Sequence, residues 1–182
     1  MRKLALLTLA LAAAAWADPI KDAQRAFESG QEQQAFQILQ QAANAGNAQA
    51  LYNLSVFYSN GIATQMDDKK AVQLLEQSAV KGFVDAQKDL VEFYLQNKDF
   101  PKAARWLKQL ADNGDAAAQY GYALMLAKGQ GVPENLKLSE QYLEKSVNAG
   151  FKPALEFVQS MEQQVQQKGG AKQQAKTKGR HK

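Results

Sequence analysis

Small and bulky apolar residues recur along the chain at fixed distances before four glycines, Gly46, Gly82, Gly114 and Gly150. Eleven residues before each glycine lies a small residue, eight before it a bulky apolar residue, and seven before it a leucine. Offsets of three and four residues place side chains on one face of an α-helix. The pattern therefore predicts a helix that runs up to each glycine, with the leucines Leu39, Leu75, Leu107 and Leu143 on its apolar face.

A second helix is predicted after each glycine, because an alanine follows every one of them by four residues. Glycine just beyond the last helical turn supplies the left-handed residue that ends many helices. The helices are thus expected to end near Asn44, Val80, Asp112 and Asn148. Units of two helices cannot bury their apolar faces alone, so they are expected to stack into an all-α superhelix, an α/α solenoid.

Three polar residues, Asp67, Asp99 and Asn135, each lie four residues before the small residue of the second helix in their unit. They are residue types that cap helix N-termini. Gly82 and Gly114 are 32 residues apart, whereas the other successive glycines of the repeat are 36 apart. The four missing residues fall in the connector before Asp99. A deletion confined to a surface connector leaves both helix registers intact.

Further helices are predicted at both ends of the repeats. A short helix is expected over about Pro19–Glu28, with a partner over about Gln31–Ala45. A closing helix is expected to begin around Pro153 and to run to about Val165. Its polar residues alternate with apolar ones, which is typical of a helix that covers the end of a repeat array.

The connector AKGQGVPEN, residues 127–135, raises the possibility of a phosphate site, because glycine-rich loops before helices bind phosphate through backbone N–H groups. Its counterpart SNGIATQMD has Ala63 where Gly131 stands, and the middle unit has no glycine there. Val132, Pro133 and Glu134 follow Gly131 directly, where a phosphate loop would have a lysine, serine or threonine, and Glu134 would face the anion. We interpret the stretch as a turn in which Gly129 ends one helix and Gly131 permits the reversal.

The first 17 residues have the features of a cleavable signal peptide. Arg2 and Lys3 precede the apolar run Leu4–Ala15, and Ala15-Trp16-Ala17 matches a cleavage site. The run is too short to span a bilayer. We therefore expect cleavage before Asp18 and location in the periplasm, most simply of a Gram-negative bacterium, with no transmembrane segment.

Charge divides the remaining chain into a folded body, residues 18–165, and a tail, residues 166–182. The body has 14 basic and 18 acidic residues, whereas the tail has six basic residues and no acidic one. The basic pI of about 9.2 thus arises from the tail and not from a basic body, which argues against nucleic-acid binding. The Gln- and Lys-rich tail is expected to be disordered and to make at most weak contact with an anionic envelope surface.

Little in the sequence indicates catalysis, a cofactor or a metal. The chain has no cysteine, and its one histidine, His181, lies in the tail. Asp67 and Asp68 are adjacent and so do not face each other on a helix. The serines lack a histidine base within the body, and no complete calcium-loop pattern is present. We therefore predict no catalytic residue, no cofactor and no metal ligand.

The repeats resemble the Sel1-like repeat family, which is related to the tetratricopeptide repeat. The resemblance is carried by GNAQALYNLSVFYSNG followed by DDKKAVQLLEQSAVKG, and by the glycines and caps of the third pair, over about residues 31–155. The middle unit, DFPKAARWLKQLADNG, has the short connector of tetratricopeptide repeats. The resemblance implies a helical solenoid that acts as a non-catalytic interaction scaffold or adaptor.

The same resemblance implies a concave groove formed by the first helix of each pair. The positions two and six residues after the aligned alanines Ala50, Ala86 and Ala118 would face this groove, which would bind a protein or peptide. The alternative that we carry is an envelope enzyme acting on cell-wall peptides or β-lactams, as suggested for cysteine-rich relatives. The predicted groove residues are Tyr52, Val56, Lys88, Glu92, Tyr120 and Leu124.

Overall fold

The structure, a computed structural model, describes residues 18–178, and within that range it contains nine α-helices and no β-strand. This confirms the predicted all-α class. In chain order the helices are α1 (Pro19–Glu28), α2 (Glu32–Asn44), α3 (Ala48–Asn60), α4 (Asp68–Val80), α5 (Val84–Gln96), α6 (Phe100–Asp112), α7 (Ala116–Lys128), α8 (Leu136–Asn148) and α9 (Lys152–Lys178).

The helix ends lie where the glycines predicted them. Helices α2, α4, α6 and α8 end at Asn44, Val80, Asp112 and Asn148. The glycines two residues beyond these ends all have left-handed backbones, with φ between 78° and 93°. Glycine adopts this conformation without the steric cost of a Cβ atom, which explains its recurrence at this point of each repeat.

The predicted N-caps are also confirmed. The Asp67 side chain accepts a hydrogen bond from the backbone N–H of Lys70 at 2.8 Å, and Asn135 accepts one from Leu138 at 2.9 Å. Asp99 makes the corresponding contact at 3.4 Å. Each bond satisfies a donor that the first turn of a helix leaves without a partner.

The connector that contains Gly131 is a turn, as interpreted from the sequence. Gly129 caps α7 with φ 62°, and Gly131 has φ 75°. A Cβ atom on Gly131 would lie 2.3 Å from the carbonyl oxygen of Phe100, so this glycine is required by close backbone packing as well as by its φ. Ala63 and Lys98 also have left-handed backbones, at φ 55° and 59°.

The chain divides into two compact units, and the boundary between Leu90 and Val91 falls inside α5. The core of the first unit is built from buried alanines, leucines and one aromatic residue, including Leu39, Leu54 and Phe57. The second unit buries larger aromatic side chains, notably Trp106 and Tyr142. With no cysteine in the sequence, stability rests on this packing.

Buried serines tie the two helices of a pair together at the same register in each unit. The Ser78 hydroxyl on α4 donates to the Ala48 carbonyl at the start of α3, at 2.7 Å. The Ser146 hydroxyl on α8 donates to the Ala116 carbonyl at the start of α7, at 2.6 Å. Both serines have 0% exposure, so these bonds satisfy hydroxyls that burial would otherwise make costly.

The last helix is longer than the sequence pattern predicted. Its expected end was near Val165, whereas α9 continues to Lys178. Glutamine, lysine and alanine are good helix formers and no proline interrupts residues 166–178, and they favour the continuation against the two glycines Gly169 and Gly170. The predicted disordered tail thus differs from the described backbone as far as Lys178. Residues 179–182 and the predicted signal peptide, residues 1–17, lie outside the described residues.

Candidate functional site

The six predicted groove residues lie in three pairs, each spaced by four residues on one helix. Tyr52 and Val56 are on α3, Lys88 and Glu92 are on α5, and Tyr120 and Leu124 are on α7. Residues four apart are neighbours on a helix surface, so each pair shares one face. The unit boundary separates the first three residues of this set from the last three.

In the first unit, Tyr52 packs against the helix that begins the next repeat. Its half-buried ring lies 5.1 Å from the ring of Phe83, with a tilt of 47° between the two planes. Burial, together with a hydrogen bond to the carboxylate of Asp89, raises the pKa of Tyr52. The tyrosine is therefore held in one orientation by an aromatic ring and an acid.

In the second unit, Tyr120 makes the equivalent packing contact. Its ring centroid lies 5.8 Å from that of Phe151 and 5.9 Å from that of Phe157. Phe151 is 68 residues after Phe83, the same interval that separates Tyr120 from Tyr52. Both tyrosines are thus fixed against the following repeat, and both remain half-buried. The sequence placed them at equivalent positions but gave no sign of these aromatic partners.

The two aliphatic members of the set line separate surface grooves. Val56 is 37% exposed and lines a groove of about 330 Å³ between α1 and α3, beside Phe27, which is 42% exposed. Leu124 is half-buried and lines a larger groove in the second unit. Lys88 and Glu92 are exposed, and the Glu92 carboxylate accepts a hydrogen bond from Gln96 at 3.0 Å.

The larger groove, called here the C-terminal groove, has a volume of about 1020 Å³ and is formed by α7, α8 and α9. Its charged lining residues within the described part of the chain are all acidic, namely Glu140, Glu144 and Glu162. This groove was not predicted from the sequence. Its apolar lining includes Leu124, Leu136, Leu143, Val147, Phe157 and Met161.

The candidate nucleophiles and acids have structural partners. Asp67 caps α4, as described above. The hydroxyls of Ser55 and Ser139 donate to backbone carbonyls, at 2.6 Å to Tyr52 and 2.7 Å to Ala123. A serine held in this way does not present a free hydroxyl to a base, which nucleophilic catalysis requires. His181, the one histidine, lies outside the described residues.

The described residues also contain no cluster of three acidic or histidine side chains with the proximity needed to hold a metal ion. Within the same range, no helix combines the length and hydropathy required to cross a bilayer.

Comparison with known proteins identifies the repeats. The Sel1 repeat family model matches residues 29–47, 48–83, 94–115 and 116–151, which together make up more than half of the chain. The matched segments follow the register of the four predicted glycines.

Solved structures show the same fold. A Sel1 repeat protein from Oxalobacter formigenes superposes with a TM-score of 0.65 and is 30% identical, over 75% of this chain and 42% of that protein. The protective antigen c5321 of uropathogenic Escherichia coli, which has an SLR fold, gives a TM-score of 0.52 and 25% identity over 66% of this chain and 27% of its own. These similarities confirm the predicted α/α solenoid class.

Two curated relatives are much longer proteins. DAP3-binding cell death enhancer 1 from Rattus norvegicus is 30% identical over 105 residues, which are 57% of this chain and 21% of the relative. The ERAD-associated E3 ubiquitin-protein ligase component HRD3B from Arabidopsis thaliana is 27% identical over 118 residues, 64% of this chain and 19% of the relative. The chain thus spans about a fifth of the length of these relatives.

Proposed function

The chain belongs to the Sel1 repeat family, whose repeats mediate protein–protein interactions, and we propose that it is a non-catalytic interaction scaffold of the bacterial periplasm. The partner is a protein or peptide segment, and it binds along the first helices of the pairs. The residues that we assign to this surface are Tyr52, Val56, Lys88, Glu92, Tyr120 and Leu124.

The observation that carries the proposal is the fixed, half-buried state of Tyr52 and Tyr120. Each ring is held by an aromatic neighbour in the following repeat, Phe83 or Phe151, so little rotamer freedom remains to be lost when a partner packs on it. Rigid tyrosines beside aliphatic side chains are typical of the residues that contribute most to protein interfaces. The exposed Val56 supplies such an aliphatic neighbour on α3.

Export to the periplasm is the second part of the proposal. It is supported by the three signal-peptide features of residues 1–17 and by the cap of α1. The Asp18 side chain caps α1 by accepting a hydrogen bond from the N–H of Ile20 at 3.1 Å. Cleavage after Ala17 would therefore keep every residue that the first helix uses. The mass of the chain isolated from a periplasmic fraction should correspond to residues 18–182, whereas a cytosolic chain that begins at Met1 would contradict export.

Partner capture tests the interaction surface. The mature chain and its variants would be crosslinked in a periplasmic extract, and the captured proteins would be identified by mass spectrometry. Val56→Asp should lose the partner, because it places a charge on the proposed surface, and its helicity and Trp106 fluorescence check that the fold is kept. Val80→Asp is the matched control, since Val80 is 69% exposed on α4, a second helix of a pair.

A double change, Tyr52→Ala with Tyr120→Ala, should also abolish capture. Because both rings pack against the next repeat, its folding must be checked by helicity and by the fluorescence of Trp106, the only tryptophan left after residue 17. If Val56→Asp and the folded double variant both capture the same proteins as the unmodified chain, the partner does not bind at this surface.

A further inference from the structure

Helix α9 presents to solvent residues that equivalent helices bury. Phe57 on α3 and Met125 on α7 lie seven residues after the aligned alanines Ala50 and Ala118, and these side chains are 7% and 4% exposed. The corresponding alanine on α9 is Ala154, and the residue seven positions after it is Met161, which is 49% exposed. Four residues after the alanine, Tyr122 is 5% exposed, whereas its equivalent Val158 is half-buried. The apolar face of α9 thus has the register of a core face, but the described chain does not cover it.

The C-terminal groove lies where a covering helix would pack. In the earlier repeats the helix after a first helix folds back against it, as α4 does on α3 and α8 on α7. Helix α9 instead continues without a turn to Lys178. The groove between α8 and α9 therefore keeps an apolar floor, with Leu143 and Val147 from α8, and the three glutamates as its charged side chains.

The basic half of α9 is complementary to this acidic groove. Residues 166–178 contain four lysines, Lys168, Lys172, Lys176 and Lys178, and no acidic residue. At 1.5 Å of rise per residue, a continuous helix carries Lys178 roughly 18 Å beyond Gln166, away from its own groove. Because the helix runs past Gln166 without a turn, this basic segment cannot fold back onto the groove of its own chain, whereas it can lie in the groove of another chain.

We propose that the C-terminal groove binds α9 of a second copy of this chain, forming a symmetric dimer. The two α9 helices would pack antiparallel, so that Met161 of each copy packs against the apolar part of the other copy's groove. In this arrangement the basic segment 166–178 of one copy lies along the acidic groove of the other, whose charged residues are Glu140, Glu144 and Glu162. The interface is self-complementary, as a two-fold dimer requires, because each copy supplies one groove and one basic helix.

Sedimentation velocity of the mature chain over a range of protein and salt concentrations tests the dimer. The chain should sediment as a concentration-dependent dimer at low salt, and added salt should weaken it because the outer contacts are ionic. Met161→Glu should raise the dissociation constant tenfold or more, since it places an acid in an apolar, already acidic contact. Met66→Glu is the matched control, because Met66 is 69% exposed in the first unit.

Exchanging the charges provides a test that a general loss of solubility would not mimic. One variant, Glu140→Lys with Glu144→Lys, leaves Glu162 as the only acid among the described lining residues of the groove and makes its charge positive. Another, with Lys168→Glu, Lys172→Glu, Lys176→Glu and Lys178→Glu, makes residues 166–178 acidic. Each variant alone should be monomeric, because its groove and helix then have the same sign. An equimolar mixture should form a heterodimer, since each groove meets an oppositely charged helix from the other variant.

A mature chain that remains monomeric at all concentrations, or a mixture of the two variants that does not associate, would overturn the dimer. Equal sedimentation of the Met161→Glu and Met66→Glu variants would also exclude this interface. Leu124 lines the C-terminal groove and also belongs to the proposed scaffold surface. The dimer variants leave Leu124 and both scaffold tyrosines unchanged, so failure of the dimer and failure of partner capture are separate results.

Discussion

The phenol of Tyr142 on α8 donates a hydrogen bond to the Oδ1 atom of Asp112, at the end of α6, at a distance of 2.5 Å. Lys108 donates to the other oxygen of the same carboxylate, also at 2.5 Å. Tyr142 is 6% exposed and packs edge-on against Tyr122, with 5.0 Å between the ring centroids. This contact joins the second helices of two successive pairs through one buried side chain.

Replacing Tyr142 by phenylalanine should lower the free energy of unfolding by about 1.5 kcal/mol, the low end of the range for a hydrogen bond to a charged group, because the Asp112 carboxylate is exposed. The ring packing is kept, so the loss reports on the hydroxyl alone. Urea denaturation followed by Trp106 fluorescence would measure it. Tyr122→Phe is the control, because its hydroxyl has no described hydrogen bond, and it should change stability by less than about 0.5 kcal/mol. Equal effects of the two substitutions would contradict this role for the Tyr142 hydroxyl.

The stabilisation from the hydrogen bond between Tyr142 and Asp112 should be lost at both high and low pH. Burial, with the nearby Asp112 carboxylate, raises the pKa of Tyr142 to about 12, against about 10 for an unfolded tyrosine. A raised folded pKa gives stability that is complete below about pH 10 and is lost as the pH rises towards 12. Hydrogen bonds from Lys108 and then Tyr142 lower the pKa of Asp112, so its contribution is present above about pH 4 and is lost at lower pH.

The stability difference between the unmodified chain and Tyr142→Phe should therefore be largest from about pH 5 to pH 9. It should narrow above about pH 10, where the tyrosine ionises first in the unfolded chain, and below about pH 4, where the aspartate is protonated first in the unfolded chain. Urea denaturation at a series of pH values for both proteins measures this. A difference that stays constant from pH 3 to pH 11 would show that the two groups are not linked.

Two non-glycine residues occupy left-handed turns, and replacing them by glycine should stabilise the protein. Ala63 and Lys98 have φ of 55° and 59°, where an L-residue with a Cβ atom is strained. Ala63→Gly and Lys98→Gly should each raise the free energy of unfolding by about 0.5–1 kcal/mol, after the entropic cost of glycine in the unfolded chain is subtracted. Thermal and urea denaturation would measure the gain.

Gly131→Ala is the opposite change at the position equivalent to Ala63. It should destabilise the protein by more than about 2 kcal/mol, because the new Cβ atom would collide with the backbone of Phe100 in addition to the strain of its φ. Destabilisation by Ala63→Gly, or tolerance of Gly131→Ala, would contradict the backbone strain and close packing assigned to these two turns.

The helix ends could be predicted from the sequence because local chemistry determines them. Glycines such as Gly82 end a helix through their own backbone, and caps such as Asp67 bond to a residue three positions away. The end of α9 was not predicted, because residues 166–178 have no comparable stop signal. They contain the helix-weakening pair Gly169-Gly170, but the helix continues through it.

Contacts between repeats could not be predicted from the sequence in the same way. The bond from Tyr142 to Asp112 spans 30 residues and depends on how two helices pack, which no local pattern encodes. Tyr52 and Tyr120 were found by repeat register, but their aromatic partners were not. The C-terminal groove did have a signal. Met161 has the register of Phe57, which marks it as a core-type residue on a helix that no later helix covers.

Two buried glutamines provide a final test of the packing between helices. Gln87 and Gln119 are 1% and 6% exposed, and each directly follows an aligned alanine. The Gln119 side-chain amide donates to the carbonyl of Ala111 at 3.2 Å, while its own oxygen is buried without a hydrogen-bond partner among the described residues. In the first full repeat the same position is Leu51, which is 4% exposed, so the fold accommodates an apolar side chain there.

Gln119→Leu should therefore be neutral or should stabilise the protein by up to about 1 kcal/mol, because it removes a buried acceptor that lacks a partner. The Ala111 carbonyl does not lose its only donor, since the Gly114 N–H also bonds to it at 3.1 Å. Gln119→Glu keeps the shape but introduces a buried charge, and it should destabilise the protein by at least about 2 kcal/mol at pH 7. Chemical denaturation of the two variants measures both effects. A clear loss of stability in Gln119→Leu would mean that the amide oxygen has a partner, such as a buried water, and that the glutamine stabilises the inter-helix contact.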